Sequence, residues 1–293
     1  MKSNYIMLNI LLVIIGSIAY GFLPIFVKNI IPYGYSSVSI VFYRYLFTSI
    51  ALFIIIIIQK KSFKINKKQF VELFIFSIVG LGFTFYLLSQ ALLYISAGLT
   101  NMIHFGYPVV VLILMTVIYK EKINLLKIMS ALSSIIGIFL LTKIVAVESF
   151  KGIIYALLTT ITYSSYIIAN KKSSFASLDT MVALFYMSLM VSIVFFIAGI
   201  LTKNLQLLNN IFVFYNFTAI SLLCTIFSLG LLLFGVKKLG SSLASILNMF
   251  EPTTTVIVSA FIYDEKLTVN IIIGSVLIIL STVFMIFSNN SNN

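Results

Sequence analysis

The sequence predicts an all-α membrane protein with ten transmembrane helices, arranged as two inverted repeats of five. Its 293 residues are 61% hydrophobic and 9% charged, with a mean hydropathy of +1.16. Soluble domains carry about 25% charged residues, so this chain has too little polar surface to cover a compact globule in water. Because a spanning helix uses about 20 apolar residues, ten such helices take up most of the chain.

Ten apolar runs follow one another with short connections between them. Lipid offers the backbone no hydrogen-bonding partner, so a spanning segment must satisfy its own N–H and C=O groups, as a helix does. The strands of a membrane barrel would alternate apolar and polar residues over about ten positions, and these runs do not alternate. The predicted spans are 6–27, 37–58, 70–92, 97–118, 125–145, 152–170, 179–201, 211–234, 241–262 and 268–287.

The positive charge is distributed unevenly around these runs. The formal net charge is +12, and with the N-terminus inside, 13 lysines fall on the inner side and five on the outer side. The stretch Lys60–Lys68 alone contributes five of them. The positive-inside rule therefore predicts that both termini are cytoplasmic. Lysines at the ends of spans favour anionic lipid headgroups as partners, and no nucleic-acid partner is expected.

The two halves of the chain resemble each other. A shift of 144 residues places Tyr119–Lys122 on Tyr263–Lys266 and Pro108 on Pro252. Matching prolines, acids and tyrosines at one offset are hard to obtain from apolar composition alone. The pattern indicates an internal repeat.

The predicted repeats occupy residues 1–147 and 148–293. Five spans per repeat is an odd number, so the two copies cross the membrane in opposite senses, which is typical of secondary transporters with a central site. Lys2 and the small residues Ser17–Ala19 also fit a signal peptide in the first run. The repeat favours a span there, because this run is the partner of residues 152–170.

Several short motifs follow one another along the chain, and the proline–acid pairs among them lie at the repeat spacing. They are Phe42-Tyr43-Arg44-Tyr45, Pro108 with Glu121, Glu251-Pro252 with Glu265, and Gly16 with Tyr20-Gly21. In this order they resemble the EamA family of the drug/metabolite transporter superfamily. The resemblance implies ten helices in two EamA repeats, and transport of amino acids, nucleosides, vitamins or similar metabolites. Two departures are that Tyr20 replaces a frequent Trp and Met187 replaces the arginine in the second repeat.

Three ionisable residues lie within the predicted spans: Arg44, His104 and Glu251. A charge at the bilayer centre costs at least about 2.5–3.5 kcal/mol, so such groups are candidates for function. Glu251 fits a cation or proton site, or a structural acid paired with Arg44. Arg44 fits a clamp for a carboxylate or phosphate, or a partner that only holds Glu251. His104 fits a hydrogen-bonded packing residue, a proton carrier or a ligand contact.

Aromatic and amide side chains complete a predicted substrate cavity. Besides the three ionisable residues, its candidates are Tyr20, Tyr43, Tyr86, Gln90, Asn101, Tyr107, Tyr163, Tyr166, Tyr186 and Asn248. Tyrosines in membrane proteins also act as interfacial anchors. The clusters Ser96–Gly98 and Gly240–Ser242 occupy equivalent helix ends on opposite faces. We predict that Gly98 and Gly240 let these ends close over the cavity.

The sequence does not contain the residue patterns expected for disulfides, metal clusters, ATP binding or catalysis. With one cysteine (Cys224) and one histidine, no internal disulfide or His/Cys metal cluster is expected. There is no phosphate-binding loop for ATP and no evident nucleophile–base pair, so neither catalytic residues nor a cofactor are predicted.

These observations predict a secondary transporter of a small organic metabolite in a bacterial inner membrane. An amino-acid-like solute and export are favoured. The alternatives are import of a vitamin- or nucleoside-like compound, or a channel-like or accessory membrane protein. The predicted partners are the metabolite and membrane lipid, with the chain as monomer or homodimer.

The lysine distribution yields a topology prediction. Cysteine labelling at position 64 and reporter fusion to the C-terminal tail should both report the cytoplasm, because the inner side carries most of the lysines. A tail on the outer face would contradict the even number of spans and with it the inverted repeat.

Overall fold

The computed structural model describes residues 2–91, 93–95, 97–141, 149–263 and 268–290. Within these ranges every regular element is helical, and the helices form ten segments that each overlap one predicted run. They are α1 (Lys2–Tyr20, continued by Leu23–Ile30), α2 (Ser37–Ile58), α3 (Lys67–Ala91), α4a (Ala97–His104), α4b (Tyr107–Val117), α5 (Leu125–Leu141), α6 (Phe150–Lys172), α7 (Thr180–Leu201), α8 (Ile211–Leu239), α9a (Ser241–Leu247), α9b (Phe250–Tyr263) and α10 (Val269–Asn290).

Seven of these helices in the described ranges are long and apolar enough to cross a membrane: α1, α2, α3, α6, α7, α8 and α10. The helices α4b and α5 are apolar but shorter, and the ninth segment is divided into α9a and α9b. The all-helical membrane fold is therefore confirmed. That all ten segments cross the membrane stays a prediction.

Polar side chains define where several helices begin. Ser36, Asp179 and Asn210 each accept a hydrogen bond from a backbone N–H in the first turn of α2, α7 and α8. Asn66 and Gln69 form a reciprocal capping box at the start of α3. The first N–H groups of a helix have no partner within it, so these caps place the ends of the apolar runs.

Irregular backbone recurs at equivalent positions in the two halves. A π-helical stretch occupies Ile78–Phe83 in α3 and Ile220–Leu229 in α8. The fourth segment is broken at residues 105–106 and the ninth at 248–249, and a proline stands in the first turn after each break. Proline removes one helical hydrogen bond and favours such interruptions. The shared positions, about 143 residues apart, support the repeat.

The two halves pack against each other as antiparallel helix pairs. In the α2–α7 pair, Phe42 stacks near Phe196, with ring centroids 5.4 Å apart, and Phe53 lies near Phe185 at 6.0 Å. Residue numbers thus rise along α2 as they fall along α7. The pairs α1–α8, α3–α6, α4b–α9a and α5–α10 also join one repeat to the other. Partners of opposite direction are what two inverted copies of one fold produce.

Two tyrosines show this symmetry at the level of single hydrogen bonds. The Tyr43 hydroxyl donates to the Gln206 carbonyl at 2.8 Å, and the Tyr186 hydroxyl donates to the Phe63 carbonyl at 2.7 Å. A shift of 143 residues converts one pair into the other. Both tyrosines were predicted to face the cavity. The structure instead places their hydroxyls on loops of the partner repeat, because each ring reaches past the end of its helix.

One face of the bundle, which we call the basic face, carries the Lys60–Lys68 loop, with one ion pair that joins the two repeats and another within the first repeat. Lys61 Nζ lies 2.8 Å from an Asp179 carboxylate oxygen, and Lys127 Nζ lies 2.7 Å from Glu121. Partial burial raises the pKa of Asp179, but hydrogen bonds from Lys61 and a backbone N–H hold that pKa below its usual range. Asp179 therefore stays charged at neutral pH and keeps its contact with the first repeat.

Close packing of α5 and α10 generates a stability prediction. A Cβ atom added at Gly274 would lie 2.7 Å from the Gly137 carbonyl oxygen, and the backbone cannot yield without separating the helices. Gly274→Ala should lower the free energy of unfolding by about 1–3 kcal/mol, measured as thermal stability in detergent.

Gly230→Ala is the matched helical control. Its new Cβ would meet only the Met181 Cε atom, at 3.9 Å, so stability should be unchanged or slightly higher. Equal melting temperatures for the two variants would contradict the close α5–α10 approach.

Candidate functional site

A cavity of about 800 Å³ lies between the two repeats. It opens at the face opposite the basic face, where residues 35–37 at the start of α2 form part of its wall. Its described lining includes no residue from the loops of the basic face. Seven of the predicted site residues line it: Tyr20, Arg44, Asn101, His104, Tyr107, Tyr163 and Glu251.

Six other predicted site residues lie outside the lining, and one of them, Tyr166, is fully buried within the bundle. Tyr43 and Tyr186 bind loop carbonyls, as described above. Tyr86 is 44% exposed on the outside of the bundle, where it stacks on a neighbouring phenylalanine. Gln90 is half-buried but is not part of the cavity wall. Asn248 lies directly behind Glu251 and reaches the cavity only through that carboxylate.

Arg44 is buried in α2 and held by contacts on several sides. Its Nε donates to the Thr225 hydroxyl at 2.9 Å, and its Nη2 donates to the Tyr20 hydroxyl at 2.9 Å. The guanidinium lies 4.7 Å from the centre of the Phe85 ring, a favourable cation–π distance. Among the described residues, Nη1 has no hydrogen-bond partner. The arginine is therefore fixed in position and keeps donor capacity for a group in the cavity.

Glu251 lies in the first turn of α9b, directly after the helix break. The positive end of the helix dipole favours a carboxylate there. The Asn248 amide donates to Glu251 Oε2 at 3.0 Å. No ion pair joins Glu251 to Arg44 in the described part of the chain. One basic and one acidic side chain therefore line the same cavity without a direct ion pair between them in the described part of the chain.

His104 ends α4a at the other helix break. Its Nδ1 lies 2.9 Å from the Thr159 hydroxyl, and that hydroxyl lies 2.6 Å from the Ala156 carbonyl. Since the single hydroxyl proton serves the carbonyl, His104 Nδ1 is the donor to Thr159. In a neutral ring this leaves Nε2 as a hydrogen-bond acceptor. The ring packs against Tyr163, with centroids 5.4 Å apart.

Comparison with known families matches this architecture. The model of the EamA-like transporter family fits the chain twice, over residues 7–143 and 150–287. The chain belongs to the EamA-like transporter family. The resemblance noted in the sequence is thereby confirmed. The predicted boundary between 147 and 148 lies outside the described residues and stays a prediction.

Individual relatives of this EamA-family chain share only part of its sequence. Over 174 residues it is 28% identical to the uncharacterized inner membrane transporter YhbE of Escherichia coli K12, and the alignment covers 56% of this chain. The protein of that name in Shigella flexneri gives the same values. The chain spans about half the length of these curated relatives, 54%. A solved crystal structure matches with a TM-score of 0.82 over 96% of this chain and 98% of its own, at 13% identity, which shows a shared fold.

Of the two glycines predicted to act in gating, the structure describes the surroundings of Gly240. Gly240 joins α8 to α9a with a φ of +95°, and a Cβ added there would meet no atom within 4 Å. Its conformation needs glycine, but it does not pack tightly. The following Ser241 and Ser242 are the buried residues at this helix end. The surroundings of Gly98 lie outside the described part of the chain.

Sequence reasoning missed the residues that support the charges. Thr225, Phe85 and Ser17 contact Arg44 or Asn248, yet none stands out among the many hydroxyl and aromatic residues of the apolar runs. Hydroxyls within spans usually bond to their own helix. A second interaction across the bundle becomes visible only when the helices are packed.

The contribution of the Arg44–Thr225 hydrogen bond to stability can be tested without a substrate. Thr225→Val removes the acceptor of the buried Nε and should lower the free energy of unfolding by about 1–3 kcal/mol. Thr218→Val is a control on the same helix, where the hydroxyl bonds only to the Phe214 carbonyl. Thermal unfolding in detergent should separate the two variants, and comparable loss in both would remove the special role of Thr225.

Proposed function

We propose that this protein is a secondary carrier that moves a small zwitterionic, amino-acid-like metabolite by alternating access. The observation that carries the proposal is the pair Arg44 and Glu251, two opposite charges that line a cavity open at one face only. Membrane burial of charge is costly. Two such groups that lack a direct ion pair are suited to a ligand that carries both charges.

Each charged group retains capacity for such a ligand. The planar guanidinium of Arg44 suits a carboxylate, because it presents parallel donors that match the two oxygens. Glu251 accepts from Asn248 through Oε2, and its carboxylate is suited to an ammonium group. The tyrosines Tyr20, Tyr107 and Tyr163 line the same cavity and add aromatic surface to its wall.

The orientation of the cavity follows from the lysine distribution. The open face lies opposite the basic face, so the cavity faces the outside if the basic face is cytoplasmic. Rocking of two inverted repeats around a central site would open the other face. We propose an inner-membrane location with both termini in the cytoplasm, in keeping with the name of the YhbE relatives, and we favour export as the direction.

Binding is the first experiment, because a ligand that binds the folded state raises its stability. Purified protein should gain thermal stability from one or more members of an amino-acid panel, and not from their decarboxylated or N-acetylated analogues. Proteoliposomes loaded with the best ligand should then show accelerated counterflow. A carrier accelerates exchange in this way and a channel does not. Stabilisation by nucleosides or vitamins alone would favour the alternative substrates.

The charged pair supplies a mutational prediction. Glu251→Gln preserves an acceptor for Asn248 and should remain folded, yet abolish counterflow and the ligand-induced rise in melting temperature. Adding Arg44→Met to the Glu251→Gln variant should restore little of the lost counterflow. If the two residues instead form a structural pair in another state, each single variant should lose about 3–5 kcal/mol of stability and the double variant should recover it.

Glu72→Gln is the control acid, since Glu72 bonds to Ser174 at the basic face and does not line the cavity. It should retain ligand binding. A folded Glu251→Gln protein with normal counterflow would remove Glu251 from the site.

A further inference from the structure

Asn248 forms a fully occupied hydrogen-bond junction one turn below the cavity. Its Oδ1 accepts from the Ser17 hydroxyl of α1 at 3.0 Å. Its Nδ2 donates to the Tyr107 hydroxyl of α4b at 3.0 Å and to Glu251 Oε2 at 3.0 Å. Both amide hydrogens and the carbonyl oxygen are therefore engaged by three different helices. The residue is 4% exposed, so these bonds are shielded from water.

The bond to α1 belongs to an interface that is bridged by a hydrogen bond in each half of the molecule. Ser17 contacts Asn248 on the side of the basic face. On the side of the open cavity, the Thr255 hydroxyl donates to the Gly21 carbonyl at 2.8 Å. α1 and α9 therefore stay together in the half of the molecule that is open as well as in the half that is closed.

The bond to α4b crosses an interface that is open at one end. Toward the open face, Asn101 of α4a and Thr255 of α9b both line the cavity. Toward the basic face, α4b and α9a are packed together, and the Ser242 hydroxyl donates to Glu121 Oε2 at 2.9 Å. The repeat-equivalent helices α4a and α9b stand apart across the open cavity. By symmetry, the basic face can open only if α4b and α9a separate.

The repeat provides an internal comparison. A shift of 144 residues places His104 on Asn248 and Tyr107 on Glu251. In the open half, His104 bonds to Thr159 of α6, as Asn248 bonds to Ser17 of α1. Within the described residues His104 makes no hydrogen bond to Glu251. A bridge between the two equivalent positions therefore exists only in the closed half.

We infer that Asn248 is a positioning residue that orients the Glu251 carboxylate and holds α4b against α9a through Tyr107, so that a ligand at Glu251 controls opening of the basic face. This role rests on the proposed carrier function. A cationic group that binds Glu251 competes for the carboxylate oxygen that Asn248 uses. Once that bond is lost, the amide is free to turn, and the link to Tyr107 weakens.

Two repeat-equivalent reporters can measure this coupling without any substrate. Asn101 lines the open cavity, and Ser245, 144 residues later, is buried in the closed half. In a Cys224→Ser background, Asn101→Cys and Ser245→Cys are introduced one at a time. Purified protein in nanodiscs, with both faces accessible, is then labelled with a membrane-impermeant thiol reagent, and the two rates are compared.

Asn248→Ala should raise the labelling rate at position 245 by at least about fivefold, the factor that loss of one typical hydrogen bond produces, and lower the rate at position 101. Tyr107→Phe removes only the hydroxyl and should act in the same direction. Tyr107→Phe also removes a long hydrogen bond, 3.5 Å, to the Ser245 carbonyl. Both changes break the bond between Asn248 and Tyr107, so the double variant should change the labelling rate by less than the two single effects combined. Asn170→Ala is the matched control: its buried amide donates within its own helix, to the Tyr166 carbonyl, and both rates should stay unchanged.

Unchanged labelling in Asn248→Ala and Tyr107→Phe would overturn the inference, and so would faster labelling at both reporters, which indicates loosening without a shift between states. These outcomes are independent of the proposed function. If wild-type protein shows no counterflow while position 245 responds as expected, the carrier proposal fails and the Asn248 link stands. If counterflow is normal and the reporters do not respond, the Asn248 link fails and the carrier proposal stands.

Discussion

The cost of placing an arginine inside a hydrocarbon layer constrains the rest of this structure. Arg44 is buried, and its charge persists because Thr225 and Tyr20 accept its hydrogen bonds and the Phe85 ring lies beside it. Those partners come from helices of both repeats. The arginine therefore ties the packing of α1, α2, α3 and α8 to the position of the cavity. A guanidinium that is only 2% exposed needs such partners to offset the loss of its hydration.

Duplication supplies the frame, and divergence between the copies supplies the chemistry. The Tyr43 and Tyr186 hydrogen bonds, the π-helical stretches and the two helix breaks all recur. The site residues do not: Arg44 corresponds to Met187, and Tyr107 corresponds to Glu251. Symmetric features hold the helices together in either half. Because the residues at equivalent positions differ, a single cavity is lined by one basic side chain, Arg44, and one acidic side chain, Glu251.

The helix breaks place polar backbone groups inside the bundle. Backbone freed at residues 105–106 and 248–249 would be unfavourable against lipid, but it is tolerated where it faces a cavity or protein. Each break also divides a helix into halves that pack independently. In this state α4a and α9b are apart while α4b and α9a are together. The polar residues at the breaks, His104 and Asn248, lie at the boundary between the open and the closed half.

The apolar runs and the repeat were readable from the sequence because hydrophobic length and internal similarity are properties of the chain itself. Arg44, His104 and Glu251 were identified for the same reason, since any ionisable residue inside an apolar run is conspicuous. Only the tertiary structure separated Tyr20 and Tyr107, which line the cavity, from Tyr43 and Tyr186, which bind loops, and Asn248 from the cavity wall. The rotation of a helix about its axis and its distance from the neighbouring helix decide what each side chain contacts. Neither quantity is determined by composition or by residue spacing within a single helix.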